Sequence, residues 1–206
     1  MKNTLLMTLM FLLALAGNSF GQDQKNEVGL LLGALSTGNR EIRLPTLSTA
    51  DIGSGITYQA SYARRLLDAK VASLHVEVLL AATPLQKVRS TNTTIPRDYA
   101  SLFLTPGLKV KFLPGWRVSP YVAAGGGYAR FAESEFRTND QPNLGQRGTN
   151  RGVFNYGGGV DIRVIRFLSL RGEVRDFVSG NPNFNAPFLS NRQHNVLTSG
   201  GFVLHF

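Results

Sequence analysis

The sequence predicts an all-β protein, namely an eight-stranded antiparallel up-and-down transmembrane β-barrel. Three observations lead to this prediction: eight segments in which apolar and polar residues alternate, an alternation of short turns with long polar loops between them, and a short apolar leader. Alternation with a period of two residues is typical of strands that have one apolar face. The chain has 206 residues, which is enough for one such domain.

The composition already excludes several kinds of protein. Charged residues make up 17% of the chain, which is low compared with about 25% in soluble domains. The chain has no cysteine, so a disulfide scaffold, a cysteine-based zinc site and a cysteine nucleophile are excluded. The formal net charge is +9. Such an excess of positive charge would suit a nucleic-acid partner. Because the leader indicates export, we expect no nucleic-acid partner.

Residues 1–21 are predicted to be a cleaved signal peptide. Lys2 gives a positive start, residues 5–16 are almost all apolar, and Ser19 and Gly21 are small residues ahead of the expected cut. The apolar run is shorter than the roughly 20 residues that span a membrane as a helix. We therefore expect residues 22–206 to form an outer membrane β-barrel domain. A soluble exported barrel is the alternative that the leader leaves open.

Each predicted strand carries the alternating pattern. In the second, Ile56 and Tyr58 alternate with Thr57 and Gln59. Short connections are expected around 66–69, 113–115 and 166, and long ones at 36–51, 83–98, 132–151 and 179–193. Transmembrane barrels show this difference, with short periplasmic turns and long external loops. The eight predicted strands are 26–35, 52–64, 70–82, 99–112, 116–131, 152–165, 167–178 and 194–206.

The polar face of the strands is predicted to form a charge network in the lumen, because buried charges are tolerated when they are paired. A soluble barrel would place its apolar face inside instead. Aromatic residues near strand ends are expected to form interfacial girdles; they are Tyr62, Tyr99, Phe112, Trp116 and Phe131. The predicted lumen residues are Glu27, His75, Glu77, Lys109, Lys111, Asp161, Arg163, Arg171, Glu173 and Arg175.

Two glycine triplets, 125–127 and 157–159, could be taken for phosphate-binding loops. Such a loop needs a strand before it and a helix after it, and both triplets lie inside alternating strands. We expect Gly125, Gly127, Gly157 and Gly159 to face the lumen, where they leave space for long arginine and lysine side chains and permit strong curvature.

Several segments resemble the OmpA/OmpX-like family of outer-membrane barrels. Residues 120–131 resemble the fifth strand of these barrels, and 157–163 with 168–175 resemble the hairpin that follows. The C-terminal segment 200–206 is similar to the assembly signal of such proteins, with Phe202, Leu204 and Phe206 in the matching positions. The resemblance implies the barrel domain alone, without the cell-wall-binding domain of OmpA, inserted by the outer-membrane assembly machinery.

The expected function is a non-catalytic, structural or surface-interaction role in the cell outer membrane, with external loops that contact lipopolysaccharide or other surfaces. Lys87, Arg89 and Arg97 in the second long loop suit the phosphates of lipopolysaccharide. Outer membrane lipids are the expected partners, and the barrel is expected to be a monomer. The main alternative is a narrow pore for ions or small solutes, although an eight-stranded barrel is just wide enough for side chains to fill.

A lipid-modifying enzyme or a soluble lipid-binding barrel is the second alternative. Its only candidate residues are His194 with Ser190 nearby and Glu133 or Glu135 on the adjacent loop. The three histidines of the chain do not form a metal-binding motif. We therefore expect no catalytic residues, no metal and no cofactor.

Overall fold

A computed structural model describes residues 24–38, 40–44, 46–145, 148–182, 185 and 192–206. The predicted signal peptide, residues 1–21, lies outside these ranges, as does Ser190. Within the described ranges no helix is long and apolar enough to cross a membrane. Ten strands account for most of the described chain: β1 Asn26–Thr37, β2 Arg40–Leu44, β3 Thr46–Ile52, β4 Gly55–Asp68, β5 Ala72–Ser90, β6 Asp98–Phe112, β7 Val118–Glu133, β8 Gly148–Ile165, β9 Leu168–Gly180 and β10 Arg192–His205.

Eight of these strands close into a ring in which every pairing is antiparallel. The order around the ring is β1, β4, β5, β6, β7, β8, β9 and β10, and β10 returns to pair with β1. Glu27 lies opposite His205 and Leu35 opposite Leu197 at this closing seam. Closure satisfies the backbone groups of every strand, which a lipid environment requires. The prediction of an eight-stranded antiparallel barrel is confirmed.

The first long connection contains two strands that the sequence did not predict. β2 pairs with β3, and β3 pairs with the end of β5, where Ala50 lies opposite Ser90 and Ile52 opposite Val88. β5 itself continues well beyond its predicted end at residue 82. Pro84, in the predicted loop 83–98, is a residue that usually ends a strand, but the ladder with β6 shifts register between Thr83 and Gln86, and proline is tolerated at such irregularities.

The barrel has two different ends. The connections β4–β5, β6–β7 and β8–β9 are short and lie at one end, which we call the turn side, together with Asn26 and Phe206, whose backbones are hydrogen-bonded to each other. The four longer connections lie at the other end, the loop side. Loops of this length are external in transmembrane barrels.

The outer surface of the barrel is apolar and the inner surface is largely polar. Leu30, Ile56 and Val122 point outward and are each more than half exposed, whereas Gln59 and Lys109 point inward and are buried. A soluble barrel would show the opposite arrangement. The exterior is therefore a lipid-facing surface, and the soluble alternative is wrong.

The glycines of the two triplets allow neighbouring strands to approach closely. A Cβ on Gly127 would collide with the carbonyl oxygen of Leu104, and a Cβ on Gly159 would lie 2.7 Å from both the hydroxyl of Tyr121 and the Cβ of Glu173. Gly126, which points outward, would meet only one atom, at 3.8 Å. The lumen-facing glycines thus make room for strand curvature and for buried side chains.

Candidate functional site

The charge network fills the half of the lumen nearer the turn side. Arg171 donates hydrogen bonds from Nε and Nη2 to the two carboxylate oxygens of Asp161, at 2.6 and 2.8 Å, and from Nη2 to Glu27 at 2.9 Å. All three side chains are at most 4% exposed. Arginine matches a carboxylate with two parallel hydrogen bonds, which holds both partners in one orientation.

Two lysines of β6 connect this pair to the rest of the network. Lys109 bridges Glu27 and Glu77, with Nζ at 3.2 Å from Glu77. Lys111 bridges Glu27 at 2.8 Å and Asp161 at 2.7 Å. Glu27 on β1 therefore accepts from three cations, which come from β6 and β9.

Arg175 extends the network toward the middle of the barrel. It lies 2.6 Å from Glu77 and 3.1 Å from Glu173. Glu173 also accepts hydrogen bonds from Gln59, at 2.5 Å, and from the hydroxyl of Tyr121. The charge network as defined here has eight members whose formal charges sum to zero: Glu27, Glu77, Asp161 and Glu173 with Lys109, Lys111, Arg171 and Arg175.

Tyr121 and Gln59 belong to this site although the sequence analysis did not select them. The guanidinium of Arg171 lies 4.8 Å from the centre of the Tyr121 ring, and Lys109 Nζ lies 5.4 Å from it. Each of these two residues lies on the inward-facing side of its strand, alternating with the apolar residues that face outward. This alternation is the signal that could have identified them.

Two of the ten predicted lumen residues lie outside the network. His75 is buried but is hydrogen-bonded to Ser73, at 3.0 Å, and forms no ion pair among the described residues. Arg163 is exposed and donates to the backbone oxygen of Pro114, at 2.8 Å. The β8–β9 ladder shifts register between Arg163 and Ile165, so Arg163 lies at the turn-side opening rather than within the barrel.

An aromatic layer fills the other half of the lumen. The rings of Phe103 and Phe177 stack at 4.8 Å, and Phe131 meets Phe103 edge to face at 5.9 Å. Tyr99 lies 6.1 Å from Phe131, and all four side chains are almost completely buried. Their apolar surroundings include Leu35, Leu79, Ala81, Ala129, Val153 and Leu197.

This aromatic layer corrects part of the girdle prediction. Tyr99 and Phe131 were expected at the membrane interface, but both point into the lumen. They share the phase of Ser101 and Ala129, which are also buried inside. The remaining predicted girdle residues, Tyr62, Phe112 and Trp116, are exposed on the outside near strand ends.

The residues considered for catalysis do not come together in the described part of the chain. His194 faces outward with its side chain 60% exposed, and its Nδ1 lies 2.6 Å from Asp176, which also accepts from Tyr156 at 3.0 Å. Glu133 is buried inside the barrel, on the opposite face of the wall. Glu135 lies in the loop after β7, and Ser190 is not among the described residues. The described residues also contain no group of three that could hold a metal ion.

The residues of the predicted assembly signal lie at the end of the closing strand. Phe202 and Leu204 face outward, 57% and 38% exposed, and the backbone N–H of Phe206 donates to Asn26. On the loop side, Lys87 and Arg89 are exposed on the extension of β5. Arg97 forms ion pairs with Asp98, at 3.3 Å, and Asp140, at 2.9 Å.

Comparison with known proteins shows the fold of this chain. No family model and no curated protein matches it. Among solved structures, the outer membrane protein OprG from Pseudomonas aeruginosa is similar with a TM-score of 0.59 and 10% identity, over 90% of this chain and 98% of that one. Neisserial surface protein A is similar with a TM-score of 0.54 and 14% identity, over 88% and 96%.

A third similar structure was determined in a lipid environment. The outer membrane protein AlkL in lipid bilayers has a TM-score of 0.53 and 16% identity, over 91% of this chain and 93% of that one. At such low identities the likeness concerns the fold. Together with the lipid-facing exterior, it confirms the prediction of an outer-membrane β-barrel.

Proposed function

We propose that this chain is a non-catalytic outer membrane protein of the OmpA/OmpX-like kind that acts through its external surface. In this proposal residues 1–21 are removed on export, and Phe202, Leu204 and Phe206 direct assembly by the outer-membrane machinery. The loops then contact lipopolysaccharide or other surfaces. The observation that supports this role is the filled lumen, because a closed interior leaves the loops and the outer wall to carry the function.

Both halves of the described lumen are occupied by side chains. An ion that passed through would have to separate the Arg171–Asp161 and Lys109–Glu27 pairs and then displace the Phe103–Phe177 stack. Breaking a buried charge pair is strongly unfavourable, and so is opening a packed aromatic cluster. These two barriers in series favour the surface role over the narrow pore.

Planar-bilayer conductance of the refolded protein tests this choice. The heat-dependent shift of a folded barrel on a gel would first verify refolding. We expect a folded barrel without discrete openings. Stable openings that vanish when Arg171 or Glu173 is neutralised would instead assign the function to the lumen.

The loop-side cations are suited to lipopolysaccharide. Lys87, Arg89, Arg130 and Arg192 are exposed at the loop-side ends of β5, β7 and β10, close to the boundary of the lipid-facing surface. Charge-assisted hydrogen bonds from such groups to phosphate are about twice as strong as neutral ones.

Lipopolysaccharide binding to the detergent-solubilised barrel would test this contact. The double variant Arg89→Gln, Arg130→Gln should weaken binding. The matched control, Arg64→Gln, Arg117→Gln, removes the same charge from exposed turn-side positions and should leave binding unchanged. Equal weakening in both variants would show that only net charge matters and would contradict a loop-side contact.

A further inference from the structure

The turn-side end of the lumen is open, unlike the rest of the interior. A cavity of about 650 Å³ lies there, below the charge network, and its lining includes Glu27, Lys111, His75 and His205. We call this cavity the turn-side basin. Its volume falls in the range of small-molecule sites, about 300–1,000 Å³. Because Glu27 and Lys111 are paired within the charge network, the basin is blind and opens only to the turn side.

Cations dominate the lining of the basin. Two of them are already paired with carboxylates: Lys111 with Glu27 and Asp161, and Arg65 with Asp68 at 2.7 Å. The other four form no ion pair within the described part of the chain. These four cations are Lys25, Lys70, Arg163 and Arg166.

The four cations reach the basin from separate parts of the chain. Lys25 precedes β1, Lys70 lies in the β4–β5 turn, and Arg163 and Arg166 come from the β8–β9 hairpin. Arg163 is held in place by its hydrogen bond to the backbone oxygen of Pro114, which also lines the basin. Four positive groups therefore converge on one concave space, where low-dielectric walls concentrate their field.

The charge network does not offset this field. The formal charges of its four acidic and four basic side chains sum to zero. The four cations of the basin therefore lie next to a part of the lumen that has no net charge. Arginine presents a planar fork of donors that binds phosphate with two hydrogen bonds, and lysine adds a compact point charge. The basin holds both kinds of group, and each of them is suited to bind phosphate.

We propose that the turn-side basin binds a phosphate-bearing anion, with Arg163 and Arg166 as the principal ligands and Lys25 and Lys70 as supporting charges. The phosphate belongs either to a soluble small molecule or to a phospholipid headgroup on the turn side of the membrane. The ligand enters and leaves on the same side. This binding is independent of what the external loops contact.

The experiment uses the refolded barrel in an uncharged detergent. Trp116 is the only tryptophan of the chain, and it directly follows Gly115, which lines the basin. Its fluorescence would be followed during titration, first with inorganic phosphate and then with a soluble short-chain phosphatidylglycerol, with isothermal titration calorimetry on the same samples as a second measurement. We expect a saturable response to at least one of the two probes.

A pair of matched double variants gives the test its specificity. Arg163→Gln with Arg166→Gln should weaken binding by at least about tenfold, because charge-assisted hydrogen bonds are lost. Arg64→Gln with Arg117→Gln removes two exposed cations from the same side but outside the basin, and should change the affinity less than about twofold. All four positions are exposed or peripheral to the network, and the gel shift verifies that each variant is folded.

Each outcome decides the proposal. Binding of inorganic phosphate with the expected loss in the basin variant supports a soluble ligand, and binding of the phospholipid alone supports a headgroup. Absence of heat and of a fluorescence change with both probes would overturn the proposal. Equal weakening in the two double variants would also overturn it, because the basin would then act only through net charge.

Discussion

Arg171 lies directly opposite Asp161 in the β8–β9 ladder, and its guanidinium donates two hydrogen bonds to the Asp161 carboxylate. The same Nη2 atom reaches Glu27 on β1, so a single side chain joins three strands of the ring. Since these groups are almost completely buried, we expect the network to stabilise the folded barrel by connecting its strands.

Replacement of Arg171 by methionine should destabilise the barrel strongly. The change leaves Asp161 and Glu27 buried with fewer cations, and breaking a buried pair from one side costs about 3–5 kcal/mol. Urea unfolding of the refolded barrel in vesicles would measure the loss in free energy of unfolding. Arg117→Met, at an exposed turn-side position, is the control. Equal unfolding midpoints in the two variants would contradict a structural role for the network.

Truncation of Phe103 should show that the aromatic layer is packed. Phe103→Ala removes a ring that contacts both Phe131 and Phe177, and such a change in a core costs about 3–5 kcal/mol. Phe154→Ala removes an equal ring from the lipid-facing side, where it is 54% exposed, and should cost less. The comparison again uses urea unfolding, and a larger loss for Phe154→Ala would show that the inner layer is loosely packed.

Two adjacent glycines should respond differently to alanine. A Cβ at Gly127 collides with the backbone of Leu104, whereas a Cβ at Gly126 would make only one ordinary contact, at 3.8 Å. Overpacking of this kind typically costs about 1–3 kcal/mol, so Gly127→Ala should lower the free energy of unfolding and Gly126→Ala should not. Similar stabilities would mean that β6 can move away from β7 at no cost.

A charge placed in the middle of the outer wall should block membrane assembly. Val160 faces outward on β8, and an arginine at mid-bilayer depth costs about 2–4 kcal/mol. Gly152→Arg places the same side chain near the loop-side end of the same strand, where a Cβ meets no atom within 4 Å. The amount of heat-modifiable protein in isolated outer membranes measures assembly. Normal assembly of Val160→Arg would contradict the lipid-facing assignment of this wall.

The C-terminal residue offers a separate test of the proposed assembly signal. Phe206→Ser should lower the amount of barrel assembled in cells and leave refolding into detergent unchanged, because recognition by the machinery matters only in the cell. Leu30→Ser is the control, since Leu30 lies opposite Phe202 on β1 and is also exposed to lipid. Equal assembly of both variants in cells would argue against a signal at this end.

Much of the fold could be predicted because the period-two pattern reports which face of a strand meets lipid. Glu27, Lys109 and Arg171 are buried inside the barrel, because a charged residue in phase with Ser and Thr has no place on a lipid-facing wall. The direction of Tyr99 and Phe131 was missed because an aromatic residue near a strand end suits either the interface or the interior. Tyr99 and Phe131 lie on the same face of their strands as Ser101 and Ala129, and this shared face indicates that they point inward.

Other features depend on closure and could not be predicted from any local pattern. The turn-side basin forms only when Lys25, Lys70 and Arg163 are brought to one end of a closed ring. The pairing of β3 with β5 likewise depends on long-range register, and Pro84 favoured a loop at this point of the sequence because proline usually ends a strand. The partners of each charge in the lumen follow from strand order around the ring, which alternation alone does not reveal.

β2, in the first long loop, determines where another chain could pair with this protein through its backbone. The ring has no free strand edge within the membrane, and closed sheets cannot add a further strand from a neighbour. β2 lies at the end of the sheet order, paired with β3 on one side only. The unpaired side of β2 therefore offers a short edge, outside the closed ring and on the loop side, to which an extended peptide could pair through its backbone.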